Sequence, residues 1–251
     1  MTGARERART ATVAEIVRLA RAQVAEHGPA ALSLRAIARD MGMVSSGIYR
    51  YFPSRDDLLT VLIIDSYDQL GAACELADRS VRRRGDWRAR WRAVTHALRA
   101  WAVEHPSDYA LLFGTPVPGY AAPVDTIGPA SRYTLVLLQL LVDLAASGVE
   151  HTTTVSRAMR RDLARLRELV GGAVDDATLL SGLTAWSAVM GAISLELFGH
   201  LNNVVDEPGA LFDAVVEQHG SLLLGYRPGS VVTPAPPKRQ VAAVVGTVGA
   251  G

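Results

Sequence analysis

SLRAIARDMGMVSSGIYRYFPSRDDLL, residues 33–59, joins two short apolar patterns through a glycine, then crowds three aromatics together before a new helix start. Two short helices that cross steeply need apolar residues inside each, a small residue where they touch and a glycine at the turn. Leu34, Ile37, Ala38, Met41, Gly42, Met43, Ile48 and Tyr51 occupy those places. Ala38 is small enough for close approach, and Gly42 suits the left-handed conformation that redirects the chain. Ser33 reads as an N-cap, with Leu32 and Ile37 at the spacing of a hydrophobic staple. The pattern predicts a helix ending near residue 40 and a second over about 45–52. Pro53 then stops the chain, and Ser54 with Asp57 forms a variant capping box that launches a long helix through Leu58, Leu62, Tyr67 and Leu70.

The exposed side of residues 44–50 gives this stretch its chemistry. Ser45, Ser46 and Gly47 are short, so their helix can sink into a DNA major groove about 12 Å wide and turn polar atoms toward bases and phosphates. Tyr49 suits a phosphate, Arg50 a phosphate or a guanine edge, and Arg55 the DNA backbone beside the next helix. Local charge agrees: residues 1–55 hold nine arginines against four acidic residues, although the whole chain carries a formal charge of only +1. The alternative for Arg35, Tyr49, Arg50 and Arg55 is a solvated basic face on a small helical unit. Arg5, Arg7 and Arg9 lie in residues 1–9, expected as a flexible basic arm reaching a neighbouring groove or as a plain loose terminus.

Apolar residues recur at helical spacing almost throughout the 251 residues, with no convincing period-two run, so the fold class is all-α. The first helix is expected over 10–27, stopped by Gly28. After the long helix, Arg82–Arg84 and Gly85 mark a break, and Asp86 caps a tryptophan-rich helix that ends before Pro106. A short helix through Tyr109, Leu112 and Phe113 leads into TPVPGYAAPVDTIGP, residues 115–129, long enough to be a lid or pocket mouth. Further helices are expected at about 130–147, 153–170, 176–203 and 208–225. The organisation expected is a helix-turn-helix unit over 10–55, a helical bundle over 56–226 and a disordered Pro/Gly-rich tail over 227–251.

Cys74 is the only cysteine, which excludes an intrachain disulfide or cysteine zinc cluster and suits a reducing compartment. The start MTGARERART has no apolar run behind it, and LVLLQLLVDLAA at 135–146 is about half a membrane span and contains Asp143. A cytoplasmic protein without membrane contact is expected. His96, His105 and Asp108 can be pictured as a metal or acid–base set, but nothing completes a coordination shell or a nucleophile–base chain. No catalytic residue, metal site or cofactor is assigned.

S-L-R-A-I-A-R-D-M-G followed by G-I-Y-R-Y-F-P-S-R-D-D-L resembles the DNA-binding head of the TetR family of bacterial one-component repressors. That family's usual pattern is close to L-R-x-I-A-x-x-x-G-V-S-x-G-x-L-Y-x-H-F-x-x-K-x-x-L. The match spans about residues 10–60. Val44 stands where the family usually has a capping serine, so the expected cap moves to Ser45; Arg55 replaces a lysine and keeps its charge. The resemblance implies double-stranded operator DNA as a partner, with Ser33, Leu34, Arg35, Val44, Ser45, Ser46, Gly47, Tyr49, Arg50, Tyr51 and Arg55 as candidate contacts. AWSAVMGAISLELFGHL, residues 185–201, is similar to the branch of the family marked by Trp-x-x-x-His-Gly. Trp186 and Gly191 match, and Met190 stands at the histidine position. FGTPVPGY, residues 113–120, also resembles that branch.

The second part of the chain concentrates its aromatics, Trp91, Trp101, Tyr109, Phe113, Tyr120, Tyr133, Trp186 and Phe198. At helical spacing such residues commonly build a core. The resemblance implies a small-molecule pocket, greasier for its methionine, with Trp101, Tyr109, Phe113, Tyr133, Trp186 and Met190 as candidates. It also implies a homodimer reading half-sites about 34–36 Å apart. Leu179, Leu183, Val189, Ile193, Leu197, Leu211, Val215, Leu222 and Leu223 are candidate seam residues, with Gly191 and Gly220 allowing close approach; the alternative is burial within one chain. The function implied is a ligand-responsive transcriptional regulator, most simply a repressor released by a small apolar effector. The rival is an all-α binding protein or enzyme that keeps the head as a relic.

Overall fold

A computed structural model describes residues 2–149, 151 and 153–225, and among them every regular element is a helix. The expected tail, 227–251, lies outside the described residues.

The first helix, α1 (Thr2–His27), starts eight residues earlier than expected. Residues 2–9 are therefore helical, not a flexible arm, and the Arg9 guanidinium sits 5.3 Å from the centre of the Tyr51 ring. Gly28 stops α1 at φ 77°, and a 3-10 turn, Pro29–Ala31, leads to α2 (Leu34–Asp40). Ser33 caps α2 by accepting a hydrogen bond from the Ala36 amide at 3.3 Å. Gly42, at φ 65°, closes a Schellman motif: the Met43 amide donates to the Ala38 carbonyl and the Gly42 amide to Arg39.

The next helix is shorter than its predicted 45–52. It covers only Ser45–Ile48 (α3), and the aromatics after it form a turn tied back to Gly47 and Ile48 carbonyls. Val44 itself stands at the cap position, without a side-chain hydrogen bond; Ser45 is already helical. The capping box forms as expected, with Ser54 and Asp57 exchanging side-chain and backbone bonds, and begins α4 (Arg55–Ser80).

Then come α5 (Trp87–Glu104), capped by Asp86, and α6 (Pro106–Phe113). A connection carrying a 3-10 turn at Val124–Thr126 leads to α7 (Ile127–Ala146), α8 (Arg157–Leu169), α9 (Asp176–Leu197) and α10 (Pro208–Leu223). The expected extension of α9 to 203 fails at Phe198, where Gly199 turns left-handed at φ 75°. By length and composition α9 could cross a membrane. Here it packs as a bundle helix, mainly against α10, with Leu179, Ala185, Val189 and Ile193 buried.

Two main cores result. One gathers Ile16, Ala20, Leu34, Ile37, Ala38, Ile48 and Phe52 with Leu58, Leu59 and Leu62 of α4. The other joins α4, α5, α6, α7, α9 and α10 around Trp91, Leu98, Tyr109, Tyr133, Ile193 and Phe212. Because α4 runs through both, the expected boundary at 55/56 is not a break in packing. A third, smaller cluster seats α8 on α9 through Val155, Leu163, Val174 and Leu179.

Buried charge ties the bundle together. Arg90 is fully buried, and its guanidinium bonds Asp78 of α4 and Asp143 of α7, each at 2.8 Å, while its face lies 5.0 Å from the Trp87 ring centre. A charge so deep is tolerable only with partners on several sides.

Candidate nucleic-acid interface and regulatory cleft

The tertiary fold sorts the predicted DNA-contact residues into those that face solvent and those that hold the head together. Val44, Ser45, Ser46, Tyr49 and Arg50 are exposed on α3 and its flanking turn, and Arg35 is exposed on α2 beside them. Neither Arg35 nor Arg50 has an ion-pair partner among the described residues, and Arg39 reaches only Asp40 at 3.9 Å. The result is a low face of hydroxyls and one phenol, edged by free guanidinium groups.

Five candidates belong elsewhere. Leu34 is buried in the head core, because the first residue of α2 points toward α1 when Ser33 takes the cap. Gly47 is also buried, and a β-carbon there would meet only the Met43 and Val44 side chains at ordinary contact distances of 3.4 and 3.6 Å, so the position lies inside the motif and not on its exposed face. Ser33 spends its hydroxyl on the cap, and its amide donates to Gln23 of α1 at 3.1 Å. Tyr51 is half-buried under Arg9. Arg55 turns inward, donating to the carbonyls of Pro29 and Ala30 at 2.9 and 3.1 Å. It staples the turn after α1 to the start of α4. Its guanidinium adds a second donor to the Pro29 carbonyl, which already accepts from the Leu32 amide, and reaches the Ala30 carbonyl beside it.

The connection expected as a lid performs a different task. Val117 and Tyr120 pack against the head core, and the Tyr120 hydroxyl pairs with Thr60 of α4 at 2.9 Å. Leu111 of α6 is buried in that same core. Sequence reasoning missed the strongest tie between head and bundle. Arg21 of α1 bridges Asp65 of α4 at 2.5 Å and Asp108 of α6, and Ser66 also donates to Asp108 at 3.1 Å. The signal was an arginine on the polar side of α1, which spacing alone reads as solvated.

The six predicted pocket residues stand mostly in the core. Tyr109 is fully buried; its hydroxyl meets Ser194 at 2.8 Å and the Met190 carbonyl at 3.3 Å. Phe113 packs 4.9 Å from Tyr109 and 6.0 Å from Tyr133, ring centre to ring centre. Burial pushes the phenols of Tyr109 and Tyr133 above their ordinary range; for Tyr109 the Ser194 bond opposes this in part. Trp101 and Met190 are buried too, while Trp186 is half-buried at the edge. These rings fill space instead of enclosing it.

A cleft of about 400 Å³ opens instead between α7, α8 and α9. Of the six candidates only Trp186 lines it, with Thr134, Leu138, Leu166 and Leu183 among the other walls. His96, His105 and Asp108 are not brought together: His96 meets Asp213 at 3.4 Å, His105 tilts on Trp101, and Asp108 pairs with Arg21. Among the described residues no cluster of three potential metal ligands occurs.

The predicted seam divides in the same way. Leu179, Val189, Ile193 and Leu223 are buried within the chain, and Gly220 serves α5, since a β-carbon there would stand 2.8 Å from the Trp91 ring. What α9 leaves outward is Thr184, Ser187, Gly191, Leu195 and Phe198, at helical spacing. Leu222 is exposed on α10.

Comparison with known proteins agrees with this geometry. Residues 16–62 match the family model for bacterial regulatory proteins of the tetR family, and residues 91–219 match a tetracyclin repressor-like C-terminal domain. HTH-type transcriptional regulators of Mycobacterium bovis and Mycobacterium tuberculosis are each 42% identical over 221 residues, covering 84% of this chain and 92% of theirs. The crystal structure of a regulatory protein designated SCO4313 aligns with a TM-score of 0.69 at 37% identity, over 88% of this chain and 98% of that one. The regulator PfmR from Thermus thermophilus shares the fold, with a TM-score of 0.55 at 18% identity, over 85% of this chain and 98% of that one. The chain belongs to the TetR family of transcriptional regulators.

Proposed function

We propose that this protein is a cytoplasmic, ligand-responsive repressor that binds double-stranded operator DNA as a homodimer and is released by a small, largely apolar effector. The observation that carries the reading is the exposed face of Ser45, Ser46, Tyr49 and Arg50 beside Arg35, with no acidic partner for either arginine among the described residues. A short helix with small side chains can enter a major groove, and free guanidinium groups neutralise phosphates. One such head covers little DNA, so two are needed. The outward stripe of α9 with Leu222 of α10 offers a surface for a second copy, and Gly191 at its centre, where a β-carbon would meet nothing within 4 Å, permits close helix approach.

Operator release then requires a route between bundle and head. Arg21 joins α1 to α4 and α6 by charge-assisted bonds, and α6 carries Tyr109 against α9. Helices held in this way move together, so a shift in the bundle alters the spacing of two heads. A coupling of about 1–3 kcal/mol lowers operator affinity roughly 5–150-fold. The test is fluorescence anisotropy with DNA from upstream of its own gene at several salt concentrations. Saturable, sequence-selective binding of two or four protomers is expected. Tyr49→Ala combined with Arg50→Ala should weaken it while circular dichroism and oligomeric state stay unchanged. Unaltered affinity in that variant would refute the assignment of the recognition helix.

A further inference from the structure

We propose that the cleft between α7, α8 and α9 is the effector site, and that it takes an uncharged molecule with a hydrocarbon body and at most a hydroxyl group. The inference deepens the reading of the protein as effector-controlled and rests on it. Its volume, about 400 Å³, falls in the range of small-molecule sites, about 300–1,000 Å³. Its walls are leucines from three helices, together with Trp186, Ser131 and Thr134. A three-helix enclosure of this size suits a compact molecule; a protein partner would need a broader face, about 800 Å² on each side.

The two hydroxyls decide the ligand's chemistry. Ser131 donates to the Ile127 carbonyl at 2.7 Å and Thr134 to the Ser131 carbonyl at 2.8 Å. Each hydrogen is spent on its own helix, so each oxygen can only accept. The Trp186 indole N–H is sealed from solvent and has no hydrogen-bond partner among the described residues, so only a ligand that displaces its neighbours could reach it. Among the described residues no lysine, arginine or histidine lines the walls. Of the five arginines of α8 none lines the cleft, and Arg167, next to the wall residue Leu166, is held by Asp176 at 2.5 Å. A carboxylate placed here would be desolvated without a partner, which is strongly unfavourable. An alcohol can donate to Ser131 or Thr134 and bury its chain against leucine.

The cleft is also wired to the head. Its α7 wall carries Arg132, which bonds Asp68 at 2.7 Å and Glu75 at 2.9 Å on α4. Beneath them Gly71 lies so close that a β-carbon would stand 2.6 Å from that of Arg132. A ligand that wedges α7 away from α9 must therefore displace α4. The cleft residues of α9 also lie on a different side of that helix from its outward stripe, so a second copy at the stripe leaves the cleft open.

The experiment uses the full chain, with 1-decanol and decanoate as probes of equal chain length, in titration calorimetry and in operator anisotropy. One decanol per protomer is expected, at least tenfold tighter than decanoate, with loss of operator affinity on binding. Thr134→Trp should weaken decanol at least tenfold. If it fails to fold, Leu135→Trp on the exposed rim makes the same test. Decanoate binding as tightly as decanol, no binding of either, or unchanged decanol affinity in the folded tryptophan variant would each overturn the proposal. Absence of operator binding without any probe would instead sink the repressor reading, leaving calorimetry to decide the site.

Discussion

Arg50 and Arg55 lie five positions apart in the same basic stretch, and the fold gives them opposite tasks. Arg50 is exposed and unpaired among the described residues; Arg55 bonds two carbonyls of the turn after α1. Arg50→Ala should therefore leave thermal stability unchanged and weaken DNA binding, reducing the slope of log K against log salt by about 0.9 if one phosphate contact is lost. Arg55→Ala should instead lower stability by about 1–3 kcal/mol in urea unfolding, because the turn after α1 loses two charge-assisted bonds to the start of α4. Equal effects of the two on stability would refute this division. Gly42 supplies a second contrast: at φ 65° a side chain is strained, so Gly42→Ala should cost about 1–2 kcal/mol although nothing fills the space around it. Sequence spacing made both arginines look alike, since residue type and charge are visible in a sequence but the carbonyls that capture one of them are not.

Among the elements, α4 makes more contacts with the others than any other helix does, and two ionic nodes besides the Arg132 bridge tie it to its neighbours. Asp78 near its end is held below the usual carboxylate range: burial alone would raise it, but hydrogen bonds from Arg90 and Arg84 outweigh that penalty. A lowered folded value stabilises the fold at neutral pH, and the contribution is lost as pH falls below about 4, the unfolded carboxylate value, through the folded one. Asp78→Asn should accordingly destabilise at pH 7 and flatten the fall in urea midpoint between pH 5 and pH 3. An unchanged acid profile would show that Asp78 is not a principal acid trigger. At the other node, Arg21→Ala should leave each core intact yet uncouple them. Effector should still bind, while its effect on operator affinity shrinks several-fold, read by anisotropy with and without effector. The capping box that starts α4 was legible in the sequence, because Ser54 and Asp57 act within four residues of each other. The Arg21 bridge was not, because its acidic partners come from two distant helices.

At the scale of the whole molecule, the outward stripe of α9 predicts how two copies meet. Leu195→Glu, exposed and outside the core, should leave helicity unchanged and convert a dimer to a monomer in analytical ultracentrifugation, with cooperative operator binding lost. A dimer that persists would move the seam elsewhere. Several leucines and valines proposed for that seam turned out to be core, since apolar periodicity tells which faces want burial and not what buries them. The aromatics mislead for the same reason: Tyr109, Phe113 and Tyr133 are as greasy in a packed core as in a pocket wall.

Residue type and spacing were enough for the helical class, the helix-turn-helix, the Gly42 turn and the caps at Ser33, Ser54 and Asp86, and they carried the family resemblance. All of these depend on residues within one or two helical turns, where periodicity, capping and glycine conformation act directly. It took the packing of distant helices to turn Leu34, Gly47 and Arg55 inward, to strap the 115–129 connection onto the head and to leave open space between α7, α8 and α9. Those outcomes depend on which distant surfaces meet, and neither the residue type nor its spacing encodes that meeting locally.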